Sequence, residues 1–238
     1  MKKVKHIIVT RFALKWRFAE TNLKNWDRWL DDSIHLMESF CRPSLKNQTN
    51  QDFTLLSIVD NSVKNYGNML ENEVILKVPT IKKNGYPKQQ MINVINEYIA
   101  GLEGFDSVIL TRLDRDDALR NDYIDNVQGY LSDNVESYVD LRNSISYDYD
   151  KKEAHDLKKY SSSFVSPFVS VHEAINNGKI KCISLLVDHN EVSSYLKGRK
   201  VNDLYAMQVV HQNNIGNKVR GVLIKINKTD LSGQVPVK

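Results

Sequence analysis

The stretch FDSVILTRLDRDDAL, residues 105–119, decides how the rest of the chain is read. Its apolar run, 107–111, reads as a short buried strand, and it leads into three carboxylates, Asp114, Asp116 and Asp117. Leu119, Tyr123, Val127 and Leu131 then recur four residues apart, the spacing of one helix face, so a helix is expected to start directly after the acids. An apolar strand that delivers acids to a turn places them at the C-terminal edge of a sheet, where open α/β sheets bind ligands. Two acids at i and i+2 on such a turn can reach one hard divalent cation, which prefers oxygen ligands and can itself bind a diphosphate.

Other readings of the acids compete. An EF-hand loop counted from Asp114 would put Asp116 at position three and Asp125 at position twelve, but Leu119 occupies position six, where the sharp turn needs Gly, and Ala118 occupies position five. That reading is rejected. Asp116 or Asp117 could simply cap the helix while the others are solvated. Paired carboxylates also hold metal in phosphoryl and nucleotidyl transfer.

The chain has 238 residues, 41% hydrophobic and 26% charged, which suits one globular domain with a sizeable core. A net charge of +4 and a pI near 8.8 favour an anionic ligand without demanding nucleic acid, and Lys and Arg are spread rather than clustered. Cys41 and Cys182 lie far apart and read as buried thiols, with neither a disulfide framework nor a zinc spacing. The run Ile7-Ile8-Val9 is too short for a signal sequence, and nowhere are there about 18 consecutive apolar residues. The expectation is a soluble, cytoplasmic protein with no transmembrane segment.

Upstream of the acids the chain alternates strands and helices. HIIVTRF, residues 6–12, is a strand ending in Thr10 and Arg11, which can offer a hydroxyl and a bidentate guanidinium to a nucleotide. Trp26, Trp29, Leu30, Ile34, Met37 and Phe40 keep a helical period behind an Asn25 cap, and that helix should end before Pro43. His35 falls off the stripe. A second strand, 53–59, closes on Asp60, where an acid is placed to meet a ribose or base. A strand over 74–78, a loop over 80–87 containing Gly85, and a helix over 88–102 stopped by Gly101 and Gly104 follow. This order predicts an α/β class: a mainly parallel, Rossmann-like sheet flanked by helices, with a smaller irregular C-terminal region. Residues 1–130 would form the nucleotide-sugar-binding half and 131–238 the acceptor-binding half of the same single domain.

The second half is less regular. Residues 137–141 and 145–149 read as a hairpin around Arg142, Asn143 and Ser144. Charged and then serine-rich, 151–163 is the candidate lid. Ser166 and Pro167 are expected to open a helix carrying Phe168, Val171, His172 and Ile175, ended by Gly178. Residues 180–187 read as a strand ending in Asp188 and His189, and 204–210 as an apolar run leading to His211, Asn213 and Asn214. The basic tail from Gly221 begins as a strand. His189 and His211 both follow apolar runs that could bring them to the acids, and either imidazole could complete a mixed oxygen and nitrogen metal shell, with His211 favoured.

HIIVTRF (6–12), PSLKNQ (43–48), TRLDRDDAL (111–119), SPF (166–168) and MQVVHQNN (207–214) occur in this order, and together they resemble the rhamnosyltransferase family of bacterial and phage proteins. TRLDRDDAL is the most specific of these pieces. The resemblance implies a GT-A glycosyltransferase fold and a metal-dependent transferase using a nucleotide-diphosphate sugar, expected to be a UDP-sugar, with Mn2+ or Mg2+. On the family pattern Asp114 and Asp116 fall at the DxD positions. Thr10, Arg11 and Asp60 fall on the nucleotide side, and His211 at the late histidine. The chain departs where a Trp is usual: Tyr205, Ala206 and Met207 precede Gln208, and Gln212 stands where Gly is common. Those departures bear on the acceptor side.

Charge then sets the expected chemistry. The nucleoside diphosphate leaves readily only if its new charge is neutralised, so metal on Asp114, Asp116 and His211 would act as a Lewis acid. Asp117 is grouped with Asp114 and Asp116 as catalytic, and Arg11, Arg112 and Arg115 would add charge-assisted hydrogen bonds. Asp148, Asp156 and Glu173 are candidate bases, and no spacing selects one. The acceptor would be a glycan or a hydroxymethylated base in phage-type DNA. The contrasting classes are a metal-dependent nucleotidyltransferase and a non-enzymatic nucleic-acid-binding protein, the latter leaving the acid cluster unexplained.

Overall fold

VKHIIVTRFA and TLLSIVD are apolar at most positions, and both become central strands buried on two faces, β1 (Val4–Ala13) and β2 (Thr54–Asp60). The computed structural model describes residues 3–19, 24–80, 87–131, 133–156, 166–212, 219 and 222–224. With β3 (Glu73–Val78) and β4 (Ser107–Arg112) these strands form a parallel block in the order β3-β2-β1-β4. The chain leaves β1 through α1 (Lys15–Ala19), α2 (Trp26–Leu36), a π-helical turn (Met37–Cys41) and α3 (Arg42–Lys46), and it reaches β4 from β3 through α4 (Lys88–Ala100). Trp29, Ile34, Met37 and Leu45 pack on one face of the sheet, and Met91, Ile92, Ile95 and Ile99 of α4 on the other.

After β4 come β5 (Ala118–Leu119), α5 (Tyr123–Leu131), β6 (Ser137–Asp148), β7 (Glu153–Asp156) and β8 (Ser170–Ala174). The short helices α6 (Ile183–Leu186) and α7 (Val192–Tyr195), then β9 (Lys197–Val210) and β10 (Val222–Ile224), complete the described chain. Among the described residues ten strands join one sheet, extended beyond β4 by antiparallel β8, β6, β7 and β10, with β9 parallel to β6 and β5 antiparallel to β9. The α/β class expected from the sequence holds, with the parallel block formed by β1, β2, β3 and β4. No described helix is long and apolar enough to cross a membrane. Both cysteines are buried free thiols, as expected.

Several local expectations are corrected. The helix after the acids starts at Tyr123; Leu119 lies in β5, so the four-residue spacing crosses a strand and a turn. Asn25 does cap α2, accepting from the Arg28 N–H, but the helical path continues past Pro43. The π turn resets the ladder, and Pro43 falls in the first turn of α3, where its missing N–H breaks no bond. Residues 137–149 form no hairpin: β6 runs unbroken beside β9, with register shifts around Asn143, so the expected turn is a bulge. Ser166 and Pro167 make a turn, not a helix start, and Val171 and His172 belong to β8, which is buried on both faces and so lacks a telling period. Gly178, at φ 71°, closes a tight turn. The run 180–187 contains α6 instead of a strand, entered through Cys182 at φ 56°. Gly85, residues 157–163, Asn213 and Asn214 lie outside the described residues, as does the tail beyond Ile224.

Two buried polar assemblies hold the sheet to its covering segments. Arg42 and Glu73, 3% and 0% exposed at the side chain, pair through two hydrogen bonds of 2.9 Å. Ser57 Oγ and the Leu70 N–H also donate to Glu73, so this carboxylate ties α3, β2 and the connection 61–72 together. Gly67 in that connection has φ +66°, and a Cβ there would lie 2.5 Å from Glu38 Oε1. The second assembly threads the sheet under α5. The Gln128 amide donates to His6 Nδ1 (3.4 Å), so His6 Nε2 carries the proton and donates to Thr111 Oγ1 (2.9 Å). Thr111 then donates to Ser170 Oγ (2.6 Å), Ser170 to the Tyr123 hydroxyl (3.2 Å), and Tyr123 to the Phe168 carbonyl. Gly198 of β9 approaches β6 so closely that a Cβ would lie 2.4 Å from the Tyr138 carbonyl oxygen.

Both assemblies generate stability predictions. Glu73→Gln leaves Arg42 as an uncompensated buried charge and should cost about 3–5 kcal/mol in urea unfolding. Burial, with the charges of Lys5 and His172, pushes the His6 pKa from 6.5 down to about 3. The unfolded chain therefore binds this proton first: the stabilisation is full above pH 6.5 and is lost as pH falls toward 3. Between pH 7.5 and 4.5 the wild type should lose about 3 kcal/mol that His6→Gln does not lose. The comparison needs the variant, because burial raises the Glu173 pKa to about 7 and gives that group a slope of the opposite sign.

Candidate active site at the C-terminal edge of the parallel strands

The strand order reverses at β1, with β2 on one side and β4 on the other, and at such a switch point the C-terminal strand ends open into a crevice. Register sets what meets there. Val9 pairs with Arg112, so Arg11 and Asp114 each lie two residues further along neighbouring strands. The Arg11 guanidinium donates to Asp114 Oδ1 from Nη2 at 2.6 Å and from Nε at 3.2 Å, and both side chains are partly exposed, at 11% and 23%.

The three acids of the turn have three different partners. Asp116 Oδ2 lies 2.9 Å from His211 Nε2, and both groups are nearly buried. Burial pushes the Asp116 carboxyl up, but the His211 hydrogen bond and the Arg115 charge outweigh it and hold the pKa below the usual carboxylate value. Asp117 is 2% exposed and accepts from the Val209 N–H at 2.9 Å, two residues before His211. The short pairing of Ala118 with Met207 and of Leu119 with Ala206 lies beside that contact. Asp117 and β5 thus hold the end of β9 against the acid turn and bring His211 to Asp116.

The other nucleotide-side candidates occupy the same strand edge. Asp60 is buried, and its Oδ1 accepts from the Ser62 N–H (2.9 Å), Ser62 Oγ (2.6 Å) and Thr80 Oγ1 (2.7 Å), while Oδ2 has no partner among the described residues. Thr10 is fully buried, and its hydroxyl has no partner among the described residues. Arg112 stands near His189, because its charge, after burial, lowers the His189 pKa, with Arg11 adding to it and Asp188 and Asp114 opposing. His189 Nδ1 lies 2.9 Å from Asp188 Oδ1. Arg115 turns inward: its guanidinium lies 4.8 Å from the Trp29 ring centre and is 6% exposed. Among the candidate bases, Glu173 is fully buried with Oε2 on the Ile183 N–H, and Asp148 Oδ1 accepts from the N–H groups of Asp150 and Lys151. The Asp156 side chain lies outside the description.

Among the described residues no three of His, Cys, Asp and Glu cluster as a metal-ligand set. Asp114, Asp116 and His211 are thus not gathered at one point, and Asp114 is turned to Arg11. Asp116 and His211 are in contact, and an oxygen and an imidazole nitrogen fit as two protein ligands for a divalent ion whose other positions a diphosphate and water would fill. Sequence reasoning missed Asp140, a fully buried acid in β6 that accepts from the Ser166 N–H at 3.2 Å. Its only signal was an acid inside a regularly alternating strand.

The crystal structure of Staphylococcus aureus TarS 1-349 is similar at TM-score 0.45 and 12% identity, over 87% of this chain and 60% of that one. The same TarS fragment in complex with UDP-GlcNAc gives 0.44 and 11%, over 88% and 59%. A crystal structure described as "putative nucleotide-diphospho-sugar transferase" from Desulfovibrio desulfuricans G20 gives 0.41 and 11%, over 86% and 81%. The chain therefore spans about three fifths of the TarS fragment it resembles. No curated protein matches it. The family described as "Putative rhamnosyl transferase" matches residues 18–221, and the chain belongs to that family.

Proposed function

We propose that this chain is a glycosyltransferase that moves a sugar from a nucleoside diphosphate to an acceptor hydroxyl. The observation that carries the reading is the paired contact at the switch point, Arg11 with Asp114 and Asp116 with His211, in a chain of this family. Asp60, fixed on Oδ1 by three hydrogen bonds, has Oδ2 to offer a nucleoside hydroxyl or base N–H. Arg11 lends a guanidinium to the diphosphate side, held in place by Asp114. Asp116 and His211 would hold Mn2+ or Mg2+, which when bound supplies Lewis-acid neutralisation of the diphosphate. In the transfer the acceptor oxygen bonds to the anomeric carbon, the bond from that carbon to the diphosphate oxygen breaks, and its electron pair leaves with the nucleoside diphosphate. The hydroxyl proton passes to a base. Asp117, bonded to the Val209 N–H, acts through His211 and not on the substrate.

The test is a thermal-shift panel of UDP-, GDP- and dTDP-sugars with and without Mn2+. A donor at about 100 times its Kd should raise Tm by roughly 5–10 °C. Asp116→Ala should keep the fold, lose the part of the shift that needs the metal, and abolish transfer. A panel in which no nucleotide-sugar moves Tm, or full turnover by Asp116→Ala, would refute the reading. For Asp117→Ala, loss of the acceptor for a buried N–H should cost about 1–3 kcal/mol, with Asp117→Asn costing less, read by urea midpoints.

A further inference from the structure

The connection from α6 to α7 is held at both ends and stiffened in the middle. Leu185 of α6 joins Met91, Ile95, Val108 and Leu110 in the core beside β4. Val192, which opens α7, joins Ile183, Val169 and Val171 in a second apolar cluster. The Val169 carbonyl accepts from the Arg112 N–H at 3.4 Å, so that cluster lies against the last residue of β4. Between the two anchors Asp188 caps a single 3-10 turn, His189–Glu191. Its Oδ1 accepts from the Asn190 N–H at 3.2 Å, and its own N–H donates to Glu191 Oε2 at 3.3 Å. His189 therefore stands at a fixed place beside the C-terminal end of β4, the strand that leads into the acid turn.

What the ring offers there is a base. Its side chain is 28% exposed, so it is open to solvent at that edge. Nδ1 lies 2.9 Å from Asp188 Oδ1, and Nε2 has no hydrogen-bond partner among the described residues. Arg112, Asp114 and Arg11 all act on the charge of the ring, as does Asp188. Burial and then Arg112 lower its pKa below 6.5, so at pH 7 the imidazole is neutral with a lone pair to give. On taking a proton it becomes a cation, and the carboxylate beside Nδ1 stabilises that charge. Other candidates are less available: Glu173 is fully buried, His211 is turned to Asp116, and Asp148 Oδ1 already accepts from two N–H groups.

We propose that His189 is the general base of the transfer, with Asp188 stabilising its protonated form; this rests on the glycosyltransferase reading. The acceptor O–H bond breaks and its proton goes to the lone pair on Nε2. The freed oxygen pair bonds to the anomeric carbon, the bond from that carbon to the diphosphate oxygen breaks, and its electrons leave with the nucleoside diphosphate. The proton and the diphosphate thus end on different parts of the edge, one beside β4 and α7 and the other beside Arg11.

The test uses the full chain with Mn2+ and whichever UDP-, GDP- or dTDP-sugar raises Tm. Water is the acceptor, and release of nucleoside diphosphate is the readout. Azide is the control acceptor, because it is an anion and brings no proton to remove. His189→Ala and His189→Gln should keep the donor's Tm shift, lose about 100-fold in release to water, and recover with azide by forming the glycosyl azide. Asp188→Asn, which keeps an acceptor for the Asn190 N–H, should lose less than His189→Gln. Release to water at the wild-type rate by the His189 variants would overturn the proposal. So would a loss that azide does not restore, which would make the ring structural. A donor that shifts Tm without any release by the wild type counts against it equally. A larger loss in Asp188→Asn than in His189→Gln would send the proton to Asp188 and overturn it too. A panel in which no donor shifts Tm sinks the transferase reading and this proposal with it, whereas turnover indifferent to His189 sinks the base alone.

Discussion

The reversal of strand order at β1 is the constraint on which the molecule depends. One connection leaves β1 over one face and returns to β2; another leaves β3 over the opposite face and returns to β4. The C-terminal ends of β1 and β4 are therefore covered by neither. Because Val9 and Arg112 are in register, the next residues of both strands enter the same crevice, and Arg11 meets Asp114 without any special loop. The register of two parallel strands sets this contact, and apolar burial on both faces sets the register.

Three carboxylates within four residues would repel one another if each faced the same solvent. The fold separates them: Asp114 goes to a guanidinium, Asp116 to an imidazole and Asp117 to a backbone N–H. Only the first pair stays notably open to solvent. The arrangement gives one turn an ion pair for the crevice, an oxygen and nitrogen pair beside it, and an anchor for the strand that delivers the nitrogen. Arg115, inside the same tetrapeptide, spends its charge on the Trp29 face and on Asp116, not on the crevice.

The parallel half was legible because its strands are short apolar runs, each closed by a polar residue, and because α4 has a clear apolar stripe between stop signals. Arg11, Asp60, Asp114 and Asp116 could be named for the same reason: each lies in the short polar segment that closes an apolar run. The second half was not legible. β8 buries Ser170, His172 and Glu173 beside Val171 and so shows no apolar alternation, and α6 is an apolar run too short for a period to tell strand from helix. The pairing of β6 with β9 joins residues about sixty apart, and nothing local announces it. Asp117 looked like its neighbours until β9 was in place, since its partner is a backbone N–H 92 residues away. His211 was reachable from sequence only through the resemblance and its place after an apolar run.

The long strand β9 behaves as a ruler. At one end Gly198 fits against Tyr138 with no room for a side chain, and at the other Val209 is fastened to Asp117. Between these two stops the distance to His211 is measured in residues. A single insertion or deletion would swing every following side chain to the opposite face of the sheet and carry the imidazole away from Asp116. Drift in this segment should therefore proceed by exchange of residues, with its length held constant.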